Sequence, residues 1–397
     1  MQYDVAICGG GIVGMATALS LVRQQKKVCI ISPKYQPLIF TNDDYHPRIY
    51  AISGASKKLL EDLGVWSNIP VERYQAVERM EIHGDGDGLL ELDAWQANSS
   101  ELTWIMESGQ IENVLMQALR YLNVTWIDAQ VVGYEKGSLT ASDGKTYTAD
   151  LCVGADGANS KLRELAGLSH TKRMYGDIGL VCQLNTAFPH QSTAYQWFRT
   201  DGILAFLPLP DTADGPQVSM VWSLRTPQAE EWLQKTPQEI SEQLPAILQS
   251  MTQHRLGTMS VRSELKGFPL TLQETQLAGN GVVLMGDAAH RLHPLAGQGL
   301  NLGLGDVYSL SHILATKEHF RNCGDERILD RYRDSRKRDI LEMKLATDGL
   351  HKLFASPDMM VSKVRNLGLN MVQNFPWVKR KLIEAAIGLK KIDARYQ

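Results

Sequence analysis

The sequence has few cysteines, and they are scattered. Cys8, Cys29, Cys152, Cys182 and Cys323 form no CxxC pair in 397 residues. Their spacing offers no zinc site, and four of them lie in apolar runs, so they read as reduced, buried thiols of a cytosolic protein. No apolar run approaches the roughly 18 residues that span a bilayer. No basic stretch precedes the glycine-broken apolar start, so a secretory leader is not expected. A charge excess is also missing. Lys and Arg number 41 against 44 Asp and Glu, a net charge of −3, which excludes a generally basic nucleic-acid binder. Internal repeats and low-complexity tracts are absent. What is present, 44% hydrophobic and 21% charged residues, is the balance of a globular chain with a large core, not of a disordered, collagenous or disulfide-stapled one. The length suggests two or three domains, or one large fold with an inserted lobe.

Periodicity divides the chain further. Residues 3–8 are a short apolar strand, Ile12, Met15, Leu19 and Val22 recur at the spacing of a helix with one buried face, and 28–31 is a β-branched strand. This β-α-β unit implies a parallel pair with a right-handed crossover. Residues 78–95 are strand-like around Gly84, Gly86 and Gly88, 107–122 reads as a helix, and 124–127 and 147–153 read as strands. Strand signals at 178–184, 195–198, 203–207 and 218–224, split by Asp-Gly turns, predict an antiparallel lobe with few helices. Residues 282–285 return to the parallel style. The expected fold class is α/β. A discontinuous Rossmann-like dinucleotide-binding domain covers 1–75, 100–177 and 276–350, and an inserted, mainly antiparallel β substrate lobe covers 76–99 and 178–275. A C-terminal helical region covers 351–397. That region carries nine basic and three acidic residues, net +6, with apolar residues on one helical face. It reads as a surface for anionic lipid or a partner.

Gly9, Gly11 and Gly14 form G-x-G-x-x-G between the first strand and the first helix. In that context glycines let the backbone approach a pyrophosphate, and the helix N-terminus meets its charge. The acid expected at the end of the second strand, where ribose hydroxyls would bind, is missing. Ser32 stands there, and the nearest acids along the loop are Asp43 and Asp44. Lys34 leaves open an NADP reading through a 2′-phosphate. A second buried strand ends on Asp156-Gly157. A third delivers Gly286-Asp287 at its carboxyl end, where open α/β sheets bind ligands. The glycines after Pro294 then lead into an apolar helix whose N–H groups can face an anionic or electron-rich edge. His290 and His293 flank this loop without a third ligand, so no metal site is expected.

In order along the chain, the glycine cradle, Asp156-Gly157 and Gly286-Asp287 resemble the motifs of the flavoprotein aromatic hydroxylases (class A monooxygenases). Within them the chain looks most like the ubiquinone-biosynthesis hydroxylases. Supporting stretches are 48–53, 63–66, 154–160, 205–209, 255–257 and 268–270, and above all the long run 286–303. The resemblance implies FAD as cofactor and NAD(P)H as reductant. It implies hydroxylation of the ring of a polyprenylated phenol or benzoquinol by O2, through a flavin C4a-hydroperoxide. It further implies that Gly9, Gly11 and Gly14 hold the FAD pyrophosphate and that Arg48 contacts the flavin nucleotide. Asp156 and Gly157 would lie near FAD and help to receive the nicotinamide cofactor. Gly286 and Asp287 would bind the ribityl or pyrophosphate region. Pro294, Gly297, Gln298, Gly299, Leu300 and Asn301 would line the isoalloxazine.

Phe206, Pro208, Leu209 and Trp222, with Val221, offer an apolar wall for the substrate in the inserted lobe. Among His46, Tyr50 and His293 no base for the phenol stands out, and there is no second G-x-G-x-x-G for NAD(P)H. Two departures from the family pattern bear on how tightly FAD is held: Ser32 replaces the usual Glu, and Glu107-Ser108-Gly109 replaces Glu-Asn-Arg. Two other readings stand beside the main one. One is a related flavoprotein reductase or halogenase, although Trp66-Ser67-Asn68-Ile69-Pro70 lacks the second Trp of the halogenase signature. The other is a flavin-poor scaffold of a quinone-biosynthesis assembly. The expected setting is cytoplasmic, with peripheral contact at the inner face of the membrane. Homo-oligomers and quinone-biosynthesis proteins are the expected partners, with no nucleic acid.

Overall fold

The computed structural model describes residues 2–36, 45–122, 124–199, 201–291 and 299–355, together with 373, 379, 380, 383 and 384. β1 (Gln2–Cys8), α1 (Ile12–Arg23) and β2 (Val28–Ile31) form the predicted β-α-β unit. Next come β3 (Ile49–Ser53), α2 (Gly54–Asp62), β4 (Tyr74–Val77), the hairpin β5 (Arg79–His83) and β6 (Leu89–Asp93), β7 (Thr103–Glu107), α3 (Ser108–Tyr121) and β8 (Thr125–Ile127). β9 (Val131–Glu135), β10 (Ser138–Ala141), β11 (Thr146–Gly154) and α4 (Lys161–Leu165) precede the lobe. The lobe holds β12 (His170–Thr186), β13 (Thr193–Arg199), β14 (Gly202–Thr212), β15 (Gly215–Arg225), α5 (Thr226–Gln234), α6 (Pro237–Met251), β16 (Met259–Val261) and β17 (Lys266–Thr275). Beyond it lie β18 (Ala278–Gly279), β19 (Val282–Leu284), β20 (His290–Arg291), α7 (Gly299–Ala315) and α8 (Glu326–Ala355).

The first sheet runs β19-β11-β1-β2-β8, all parallel, so the loops after these strands gather along one edge. α1 departs from expectation. Every residue from Gly14 to Leu21 is buried, not one face alone. The reason is its place between the sheet and both α3 and α7, where no side of the helix meets water. β3, β7 and β4 form a small antiparallel sheet. The lobe's sheet runs β20-β17-β12-β15-β14-β13-β5-β6. It is antiparallel except between β13 and β5, which pair in parallel, because the chain reaches β5 from the first domain. α5 and α6 cover one face of this sheet around Leu204, Phe206, Met220, Trp222 and Leu244. Few helices are expected in the lobe and none is placed by the strand pattern, although α6 opens with a Thr236–Glu239 capping box legible in the sequence.

β12 runs without a break from His170, across the expected boundary at 178. Residues 170–174 pair with 271–275 as a ribbon leading into the lobe, and β20 adds to its other edge at Gln273 and Glu274. All five cysteines are buried and free, and burial pushes the Cys29 thiol up to about 12. Among the described residues, no helix is long and apolar enough to cross a membrane.

Candidate active site

The three cradle glycines do three different things. Gly9 has φ +115°, and a Cβ there would stand 2.2 Å from the Ala155 carbonyl oxygen. A Cβ on Gly14 would stand 2.1 Å from the Gly9 oxygen, so only glycine lets α1 lie this close to β1. A Cβ on Gly11 would meet nothing within 4 Å. Gly11 is also the N-cap of α1, and no side chain caps the helix there. The first N–H groups of α1 therefore point into open space at the positive end of the helix dipole, a ready seat for a phosphate.

That space is part of a cavity of about 410 Å³. Gly11, Ile12 and Val13 form one wall, Arg48, Ile49 and Tyr50 another, and Gly286, Asp287, Gly299 and Leu300 a third. The lobe closes it with Val181, Ala205, Leu207, Val221 and Leu270. The Arg48 guanidinium lies 5.6 Å from the Tyr50 ring centre. Burial pushes the Tyr50 phenol up to about 12, against the opposing pull of Arg48, so it stays protonated. Gly157, at φ +84°, has nothing within 4 Å of its Cβ position, and it too opens on the cavity.

Behind the turn after β19 lies a buried charge network. Asp306 is fully buried. One of its oxygens accepts from the Gly286 N–H at 2.9 Å and lies 2.8 Å from His290 Nε2, while the other accepts from Arg336 Nε at 2.6 Å. Burial alone would raise this carboxyl, but His290 and Arg336 outweigh it and hold it below the ordinary value. His290 in turn lines the cavity. Arg163, also buried, donates to the Ala288 and Ala158 carbonyls at 3.0 and 3.1 Å, tying the Asp156-Gly157 loop to the Gly286-Asp287 turn.

This combination of an uncapped helix N-terminus, two strand-end turns and an apolar sheet face has clear relatives. Residues 2–343 match the FAD binding domain family. The chain is 31% identical to 3-demethoxyubiquinol 3-hydroxylase of Escherichia coli, over 97% of this chain and 98% of the relative. It is 29% identical to the mitochondrial ubiquinone biosynthesis monooxygenase COQ6 of Drosophila melanogaster, over 98% and 90%. The chain belongs to the FAD-dependent hydroxylase family of ubiquinone biosynthesis. Solved structures show the same fold. A probable FAD-dependent monooxygenase of Pseudomonas aeruginosa, PqsL, superimposes with TM-score 0.76 at 20% identity, covering 93% of this chain and 99% of that one. The p-nitrophenol 4-monooxygenase PnpA of Pseudomonas putida also gives 0.76, at 18% identity, covering 96% and 97%.

For this member of the family, the expected site residues fall into three groups. Gly11, Arg48, Gly157, Gly286, Asp287, Gly299 and Leu300 line the cavity together. Pro294, Gly297, Gln298 and His293 lie outside the described residues, as do Asp43 and Asp44. The remainder are not on the cavity wall. Asp156 accepts from the Lys161 and Leu162 N–H groups at 2.8 and 3.2 Å, at the start of α4. Asn301 accepts from the Ser53 N–H and donates to the Ala51 carbonyl, pinning β3 to α7. His46 lies off the cavity wall, its Nδ1 accepting from the Arg48 N–H at 3.0 Å.

The expected substrate wall needs correction. Phe206 and Trp222 pack on the opposite face of the sheet, under α5 and α6. Pro208 is buried, two residues along the strand from Phe206 on that same side. Leu209 packs with Tyr45 and Val77. Of the expected wall, Val221 does line the cavity, and alternation along β14 and β15 sends Ala205 and Leu207 there beside it. Residues that sequence reasoning missed are His290 as a wall residue, Asp306 and Arg336. A lone acid inside the apolar run of α7 was the available signal, since such a charge demands a partner.

At the end of β2, the Ser32 carbonyl accepts from Trp126 Nε1 at 3.1 Å. Asp128, at the end of the adjacent strand, accepts from the Lys34 N–H at 2.9 Å. Glu107 is also scaffold: it is fully buried against Arg73, at 2.5 Å.

Proposed function

We propose that this FAD-dependent monooxygenase hydroxylates the ring of a polyprenylated phenol or benzoquinol intermediate of ubiquinone biosynthesis, using NAD(P)H and O2. The observation that carries this reading is the single cavity in which an uncapped α1 N-terminus, Asp287 and an apolar sheet face meet. The cradle fits FAD: backbone closeness at Gly9 and Gly14 would bring the pyrophosphate to α1, and the open side of Gly11 leaves it room. Asp287 would accept hydrogen bonds from hydroxyls, and Gly299 and Leu300 would face the ring system at the start of α7. Bound FAD would supply the activation of O2, which no side chain provides.

The chain's own residues do the remaining tasks. Val181, Ala205, Leu207 and Val221 orient an apolar ring and exclude water from the reacting edge. Tyr50 keeps its proton and can donate it to an oxygen in the cavity. We assign to His290 the acceptance of the phenol proton at Nδ1. Asp306, across Nε2, would balance the resulting charge. The net +6 charge of 351–397 supports peripheral contact with the inner face of the membrane, where such a lipid resides. Part of this region is nevertheless committed to the protein, since Lys379 and Ile383 are buried.

The test is direct. The purified protein is reconstituted with FAD, and NAD(P)H oxidation is followed with and without a short-chain polyprenyl phenol, with mass analysis of the product. The expected result is substrate-stimulated oxidation and a product heavier by one oxygen. A protein that binds FAD but neither consumes reductant nor alters any such phenol would sink the proposal in favour of an accessory role.

A further inference from the structure

Glu112 belongs to none of the motifs above, yet it lines the same cavity as the open end of α1. The other charged side chains of that wall, among the described residues, are Arg48, Asp287, Arg291 and the titratable His290. Arg291 answers Asp287 at 3.8 Å, and His290 is bound to Asp306. Arg48 is the cation that acts on Glu112. From β3, Tyr50 feels both Asp287 and Glu112. Tyr35, after β2, favours the ionised form of Glu112 and donates to the adjacent Asn113 at 2.9 Å. His46 holds the Arg48 backbone from the far side. Burial outweighs Arg48 and Tyr35 and raises the Glu112 carboxyl above its ordinary range.

A dinucleotide brings two phosphate charges into this space. An ionised Glu112 would repel them and compete with them for Arg48. We propose that Glu112 is a flavin-binding residue that acts as a neutral acid: seating the phosphates at α1 draws one proton from solvent onto Glu112, which donates its O–H into the cavity while Arg48 turns to the phosphates. This rests on the flavin reading above. The sign follows from linkage. A group that gains a proton on binding makes affinity rise as pH falls. The rise spans the interval between the Glu112 pKa before binding and its higher value afterwards, and flattens on either side.

The experiment titrates flavin-free protein with FAD between about pH 5.5 and 8.5, reading flavin fluorescence. Calorimetry in two buffers of different ionisation enthalpy counts protons. Within the interval, Kd should fall by up to about tenfold per pH unit of acidification, with close to one proton taken up. Glu112→Gln keeps the shape without the charge. It should bind FAD as tightly at high pH as the wild type does at low pH, with no slope. A pH-independent Kd and no proton uptake in the wild type would overturn the proposal alone. So would an unchanged slope in Glu112→Gln. No FAD binding at any pH would overturn it together with the flavin reading.

Discussion

Asp287 and Asp306 flank the turn after β19, and their surroundings separate their tasks. Asp306 has no exposure and is engaged by three partners, whereas the Asp287 side chain is 41% exposed toward the cavity. Asp287→Ala should therefore abolish stable flavin retention with the circular dichroism spectrum unchanged. Full flavin absorbance and turnover in that variant would refute its role. Asp306→Ala leaves Arg336 and His290 buried without their carboxylate, which costs about 3–5 kcal/mol and should appear in urea unfolding. The pH dependence has a definite sign. A carboxyl held below its ordinary 3.8 contributes stability that is complete above that value and is lost as pH falls through the lower folded one. The wild type, but not Asp306→Asn, should show that acid step. Ser32 is the third case. A serine forgoes charged hydrogen bonds to ribose hydroxyls, a deficit of about 1–2 kcal/mol, or roughly five- to thirtyfold in affinity. Ser32→Glu should tighten FAD by that factor in a titration of apoprotein. Unchanged affinity would mean that Asp128, at the end of the adjacent strand, already serves.

Two glycines of one motif give a test at the level of elements. A Cβ at Gly14 collides with the Gly9 carbonyl, so Gly14→Ala must push α1 off β1 and lower the melting temperature. A Cβ at Gly11 meets only open space, so Gly11→Ala should melt like the wild type but bind FAD more weakly. Equal effects of the two in melting and in titration would contradict this division. The β-α-β unit was legible because its signals are local: two short apolar strands, a helical period and glycines at a fixed spacing. The substrate wall was not. β14 and β15 are apolar on both faces, and only α5 and α6 decide that Phe206 and Trp222 lie beneath the sheet while Ala205 and Val221 face the cavity. A sequence with period two cannot choose between its faces.

Across the whole molecule, the C-terminal region joins distant parts. Gln373 accepts from the Glu91 N–H at 2.9 Å, and Ile383 is buried among Tyr45, Leu90 and Leu92. A chain ending at residue 355 should lose this cover and melt at a lower temperature. It should also float less with anionic vesicles than the full chain, under conditions where both are folded. Equal flotation would assign the basic residues to solvent. Partnerships of this range, like that of Asp306 with Arg336, are invisible to local patterns because only the folded chain brings them together. The glycine, Asp156-Gly157 and Gly286-Asp287 motifs were readable because each lies within one strand-end loop.

The ribbon of residues 170–174 with 271–275 has a consequence for building chimaeras. The lobe looks like a cassette in the sequence, to be exchanged with that of a relative at 178 and 275. A splice at 178 would cut β12 in the middle of its ladder and mate native residues 170–174 with a foreign β17. Grafts that take the ribbon whole, joining before His170 and after Thr275, keep both strands of the pair from one parent. Such grafts should yield soluble hybrids where splices at 178 yield aggregates. The 76–99 segment must travel with them, because β5 pairs with β13 inside the transplanted sheet.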